Sequence, residues 1–299
     1  MSMLLIKGSF RVDGNAEPDG DTLPFVPDDV ADWKLVGGRA KVVPKADGRA
    51  AVRLEGVDAL ETHYKKPGYG PERHQPRKFG HQAGDALLKH LGFTSIDRHE
   101  NETVTTVPVQ VPGFILTSGA DAYGRCIALV FDGSVRQPVY SGYEVSVDEG
   151  LLKKSANYRL VEDGLAYPMF YPGLPGYLRE VLQAAAREAR DAAPPRGLWA
   201  EDKTTDGALI SGIESITDDI TGSVILPKLF RRLKDYLDSD AGITSLAGFS
   251  AYLAGAGDEY RILPDGKTKT GLHRLIDISD DGKTLRMTRR SDELLFLDK

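Results

Sequence analysis

The chain has 299 residues, 41% of them hydrophobic and 27% charged, with a formal net charge of -6 at pH 7. That balance suits a globular protein of one large domain, or a core domain with an extension; it argues against a disordered chain and against a protein that coats nucleic acid by bulk positive charge. A single cysteine, Cys126, excludes an intramolecular disulfide framework and a multi-cysteine zinc site, and no apolar run is long enough to span a membrane.

At the N-terminus, Met3 to Ile6 is too short an apolar patch for a secretory signal, which favours a cytoplasmic setting. Leu4 to Val12 reads as a strand, followed by a Gly/Asn/Pro/Asp-rich turn and a second strand over Thr22–Val26. Pro27 to Gly38, with Trp33 among polar residues, reads as an inserted excursion. Arg39–Val43 and Ala50–Leu54 are predicted as strands on either side of the Asp47-Gly48 turn. Tyr64 to Lys78, rich in Lys, Arg, Gly and Pro, is predicted to be an exposed loop. Phe79 to Leu91 carries its apolar residues on one helical stripe, with Gly92 where a C-terminal cap belongs. Strands are predicted at Val104–Val111, Phe114–Thr117 and Gly124–Phe131. Ser146 and Glu149 fit a capping box that opens a helix running through Val161, and an Ala-rich helix covers Leu174 to Ala192 before Pro194-Pro195.

Lys203 to Gly207 is polar and turn-rich, the best place for a linker. Beyond it, Leu226, Leu229, Phe230, Leu233 and Leu237 mark an amphipathic helix, Ile243 to Leu253 suits a shorter one, and strands are predicted at Tyr260–Leu263, Gly271–Ile278, Thr284–Thr288 and Leu294–Leu297. Strands come first and helices mix in later, so the fold class is α+β: a small barrel with packed helices over residues 1–202 and a smaller α+β accessory unit over 203–299.

Four stretches carry the chemistry: Pro18-Asp-Gly-Asp-Thr22, Val52 to Glu61, Asp121-Ala-Tyr-Gly-Arg125 and Gly164-Leu-Ala166. They supply three carboxylates, Asp21, Asp58 and Glu61, and two arginines, Arg53 and Arg125. Hard oxygen ligands for a metal, a base for water and positive forks for a phosphate are what metal-assisted phosphodiester hydrolysis requires. Taken singly, each fragment also has a plain reading: Asp19-Gly20-Asp21 as a turn, Arg53 and Glu61 as a surface ion pair.

In order, Asp19-Gly-Asp-Thr22, Arg53-Leu-x-Gly-Val-Asp58-x-x-Glu61, Tyr123-Gly-Arg125, Asn157-x-x-Leu-Val-x-x-Gly-Leu-Ala166 and Arg196-Gly-Leu-Trp199 resemble the staphylococcal nuclease (thermonuclease) family, over residues from about Leu4 to Trp199. The resemblance implies a five-stranded OB-type barrel with three helices and calcium-dependent cleavage of DNA and RNA to 3′-phosphate ends. It implies Asp21 and Asp58 as Ca²⁺ ligands with the main-chain carbonyl of Ala59, Glu61 as general base, and Arg53 with Arg125 as the phosphate grip. Leu60 stands where the family usually has proline, and the stretches Pro24–Ala50 and Val135–Ser155 are longer than a minimal member needs.

Around this set, Lys65 and Lys66, with Arg73, Arg77 and Lys78, are candidates to guide single- or double-stranded DNA or RNA; a merely solvated loop is the equal alternative. Tyr123, Tyr167 and Tyr171 are candidates to stack on bases or bond a phosphate, with packing the alternative for each. Cys126 reads as a small buried residue, and His63, His74 and His81 as loop histidines. Between Lys267 and Arg290, seven Lys/Arg stand against three Asp. Sparse aromatics there favour a protein-binding or self-association role over nucleic-acid contact. A second reading of the whole is a barrel that binds single strands, or a protein, without turnover.

Overall fold

A computed structural model describes residues 2–297 apart from 15, 137–139, 240–242 and 265. Five strands close into a barrel: β1 (Ser2–Arg11), β2 (Thr22–Pro27), β3 (Ala50–Leu54), β7 (Gln110–Ala120) and β8 (Cys126–Asp132). The ring runs β1-β2-β3-β8-β7 and back to β1, antiparallel except at β3–β8, which is the OB order. Two-residue alternation produces it: Leu23 and Phe25 of β2 point inward while Thr22 and Pro24 stay half-exposed. Strand β8 is buried over almost its whole length, because helices cover the face that the barrel leaves open. Inside, Phe114 stacks on Phe131 with ring centroids 4.6 Å apart, and Phe10 meets Phe25 at 5.0 Å.

The remaining elements of this half are β4 (Val57–Asp58), α1 (Arg77–His90), the hairpin of β5 (Ser95–Arg98) and β6 (Val104–Val107), β9 (Glu144–Ser146), α2 (Glu149–Leu152), α3 (Ala156–Glu162), β10 (Tyr167–Pro168) and α4 (Gly176–Asp191). Helix α3 is tied to the barrel by Asn157, which is fully buried. Its Oδ1 accepts from Val130 N (2.9 Å), and its Nδ2 donates to the carbonyls of Glu55 (2.9 Å) and Ala128 (3.0 Å). Three main-chain groups at the junction of β8 and the β3–β4 turn thus depend on one side chain. Asn157→Ala should cost about 2–3 kcal/mol in urea unfolding; an unchanged midpoint would show that the junction is held otherwise.

Several local expectations change. The strand expected over Val104–Val111 is divided between β6 and β7, and Phe114–Thr117 is the middle of β7. Arg39–Val43 forms no strand: Arg39 N donates to Ala120 O and Gly38 bridges Ala120, but the following residues have no partner strand and Val43 is exposed. Trp33 is buried rather than in a polar setting; its Nε1 donates to Gly48 O (2.9 Å) and its ring meets Phe25 edge-on, closing the excursion onto the barrel. Ser146 is not a cap, because it pairs with Ser2 at the end of β9. Asp148 caps α2 instead, and Ser155 starts α3 afresh, dividing the helix expected through Val161. Within the long stretch 135–155, residues 137–139 lie outside the described residues.

The C-terminal part contains β11 (Ala208–Leu209), α5 (Glu214–Thr217), α6 (Pro227–Leu237), α7 (Phe249–Ala256), β12 (Glu259–Ile262), β13 (Lys269–Thr270), β14 (Ile276–Ile278), β15 (Thr284–Met287) and β16 (Leu294–Leu297). These build two three-stranded sheets, β11-β15-β14 and β13-β12-β16. Their apolar core takes in Leu60, Phe79, Tyr167, Met169 and Leu198 from the first two hundred residues. The polar stretch at Lys203–Gly207 is a bonded junction: Asp202 accepts from Thr204 N and from the Tyr167 hydroxyl, and the buried Thr204 hydroxyl accepts from Leu226 N.

Candidate active site

The tight turn Glu55-Gly56 is the first device that builds the site. Gly56 adopts φ +81°, and a Cβ there would meet Leu182 and Leu174 at 2.9 and 3.0 Å. It folds β4 back so that Arg53, near the end of β3, faces Asp58, the last residue of β4: Nη2 to Oδ1 is 3.0 Å. The second device is the Asp19–Thr22 turn. The Asp19 carboxylate accepts from Asp21 N (3.0 Å) and Thr22 N (2.6 Å), and Asp21 O accepts from Leu54 N (2.8 Å). Gly20 makes the approach possible, since a Cβ there would lie 2.5 Å from both Ala59 Cβ and Ala83 Cβ.

Asp21 is thereby held against Asp58 and Ala59. Its Oδ1 accepts from the Thr22 hydroxyl (2.8 Å), its Oδ2 from Ala59 N (3.4 Å), and Arg53 Nη2 lies 3.8 Å away. Glu61, three residues beyond Asp58, is fixed at its own N–H by Gln75 Oε1 (3.2 Å). Three chain segments therefore bring Asp21, Arg53, Asp58, Ala59 and Glu61 together.

One further member was not expected. Arg231, from α6, forks between two of the carboxylates: Nη2 to Asp58 Oδ2 is 2.9 Å, Nη1 to Asp58 Oδ1 is 3.3 Å, and Nη1 also donates to Glu61 Oε1. Nothing in one sequence marks it, because a charged residue in an amphipathic helix ordinarily faces water. Here its side chain is 18% exposed.

Electrostatics follow from burial. Burial would raise the Asp21 carboxyl, but Arg53, the Thr22 hydroxyl and Arg231 outweigh it and the net shift is downward. At Asp58, burial pushes upward while Arg231 and Arg53 pull back. Burial also raises Glu61, against the pull of Arg231. Arg53 loses solvation but gains more from Asp21 and Asp58, so it stays charged.

Arg125 lies outside this cluster of contacts. Asp121 takes its Nε (2.8 Å) and Nη2 (2.7 Å) and accepts from Tyr123 N and Arg125 N, which fixes the guanidinium plane. The parallel register Val52↔Cys126 sets Arg125 beside Ala51, one strand over from Arg53 and two residues along. Tyr123 is 86% exposed, with the Arg125 guanidinium over its ring. Tyr171 is half-buried, its ring 6.4 Å from that of Phe296. Tyr167 departs from the expected substrate contact: it is buried edge-on against Trp199, and its hydroxyl donates to Asp202 (2.8 Å).

The basic loop also differs from an exposed one. Lys65 is exposed, but Lys66 pairs with Asp235 (3.2 Å), Arg73 with Asp238 (3.3 Å), and Arg77 with Asp219 (2.6 Å) and Glu102 (2.9 Å). Tyr64 donates to Asp235, Lys234 donates to Tyr69 O, and Gln75 Nε2 donates to Ile225 O (2.7 Å). Acids of the C-terminal part thus occupy most of the charges expected to meet nucleic acid. Cys126 is fully buried, and burial pushes its thiol up to about 12 despite the Thr117 hydroxyl, so it offers no thiolate near neutral pH.

Behind the site, Glu55 is buried with its carboxylate accepting from Ser118 Oγ (2.9 Å). Burial raises its pKa above the ordinary value of 4.5. An acid raised in the folded state holds its proton more tightly there than in the unfolded chain. Stability therefore falls as pH rises from about 4.5 through the folded value. Glu55→Gln should raise the melting temperature at pH 7 and lose that advantage below pH 4.5; a lower melting temperature at pH 7 would show that the charge is wanted.

Among the described residues, no three His, Cys, Asp or Glu side chains form a metal-ligand group. Asp21 and Asp58 nevertheless both lie beside one cationic atom, Arg53 Nη2, at 3.8 and 3.0 Å, so the pair already shares a positive charge. Two aspartate carboxylates held side by side fit a calcium ion that keeps positions open. The family model described as staphylococcal nuclease homologue matches residues 51–201, just over half of the chain. No curated protein matches it.

Proposed function

The chain belongs to the staphylococcal nuclease family, and from that premise we propose that it is a calcium-dependent nuclease hydrolysing phosphodiester bonds of DNA or RNA. The observation that supports this reading is the convergence of Asp21 and Asp58 on Arg53, with Glu61 joined to Asp58 through Arg231. Asp21, Asp58 and the carbonyl of Ala59 would hold Ca²⁺, which when bound polarises a phosphate oxygen. Glu61 draws a proton from the attacking water. Its raised proton affinity helps, provided that Arg231 releases it. The planar forks of Arg53 and Arg125 stabilise the charge gathering on the phosphoryl oxygens, a role that a lysine's point charge meets less well. Exposed Tyr123, beside Arg125, would stack on a base, and exposed Lys65 would attract the strand. Among the described residues no helix is long and apolar enough to cross a membrane.

Purified protein should degrade single-stranded DNA in millimolar calcium and stop on addition of a calcium chelator. Binding without cleavage at every calcium concentration would instead favour a barrel that holds nucleic acid without turnover.

A further inference from the structure

The geometry points to Arg231 as a resident cation of this site: helix α6 competes with the divalent ion for the carboxylates. The inference rests on the metal-site reading above and adds its regulation. Both oxygens of Asp58 are engaged by guanidinium N–H groups, Oδ1 by Arg53 (3.0 Å) and Arg231 (3.3 Å), and Oδ2 by Arg231 (2.9 Å). The same Arg231 fork holds Glu61, the group that must be free to take a proton. Three carboxylates already face two guanidiniums, so much of the negative charge that would attract a divalent ion is neutralised from within. A cation entering beside Asp58 must displace Arg231 or suffer its repulsion at close range.

This is not a surface arginine that happens to reach inward. Leu229, Phe230, Leu233 and Leu237 of α6 are buried in a core shared with Leu60 and Phe79, elements that flank the site. On the next turn, Lys234, Asp235 and Asp238 clasp the loop after Glu61 through Tyr69 O, Tyr64, Lys66 and Arg73. Packing and polar contacts together fix the guanidinium where a positive charge is wanted. Metal binding then releases Arg231, and the site is armed only when calcium is abundant enough to win.

Calcium titration by calorimetry of the full chain, its Arg231→Gln variant and an Asp21→Asn/Arg231→Gln double variant tests this. Arg231→Gln should bind calcium at least tenfold tighter than the wild type, and the double variant should lose that gain. Equal or weaker binding by Arg231→Gln, with the double variant still binding more weakly than Arg231→Gln, would overturn the competition while leaving the metal site standing. No calcium binding by any form would overturn both. A second measurement needs no folded variant: in arginine-¹⁵N-labelled wild type, calcium should accelerate hydrogen exchange of the Arg231 guanidinium protons. Unchanged exchange at saturating calcium would likewise overturn the competition.

Discussion

Glu61→Gln should reduce calcium-dependent cleavage of single-stranded DNA by at least ~10²-fold, because a positioned general base contributes about 10²–10⁴ to such a reaction. Glutamine keeps the shape of the side chain and its contact with Arg231, but it has no lone pair basic enough to accept the proton of water. If Glu61 acts on water and not on the phosphate, as proposed, the loss should fall on kcat with KM little changed. Calcium affinity should not fall, for the expected ligands are Asp21, Asp58 and the carbonyl of Ala59. Wild-type rates in this variant, with its fold intact by circular dichroism, would remove Glu61 from the role.

Phe230→Ala should destabilise the protein by about 3–5 kcal/mol, the usual cost of emptying a fully buried aromatic position. Phe230 is central to the C-terminal core, where its ring lies 6.4 Å from that of Tyr64, the start of the loop that leaves the active site. The cavity would therefore loosen α6 against that loop and weaken the placement of Arg231 next door. Urea unfolding should report the loss. A change below 1 kcal/mol would mean that α6 is not the anchor described.

Period-two alternation makes β1, β2 and β3 legible within a residue or two, and the single apolar stripe does the same for α1. Arg39–Val43 misleads because a short β-branched run needs a neighbouring strand, and which strand is adjacent is a property of the closed barrel. Ser146 misleads because its main chain ends strand β9 two residues before the helix cap, leaving that role to Asp148. Asp21, Arg53, Asp58 and Glu61 can be named because their motifs, in order, resemble those of a known family; the turns at Asp19–Thr22 and Glu55-Gly56 convert that sequence separation into contact. Arg231 cannot. It lies 170 residues from Glu61, and only tertiary packing brings them together. The acids Asp219, Asp235 and Asp238 are hidden for the same reason, so the basic loop they neutralise looks free in the sequence.

The calcium dependence of cleavage tests the central claim most directly, measured on one single-stranded DNA substrate for the wild type and for Asp21→Asn. If Asp21 and Asp58 hold the ion, Asp21→Asn should need at least about tenfold more calcium for half-maximal rate, in line with the loss of a charged ligand. An identical calcium midpoint in the two proteins, or cleavage that persists in excess chelator, would contradict it.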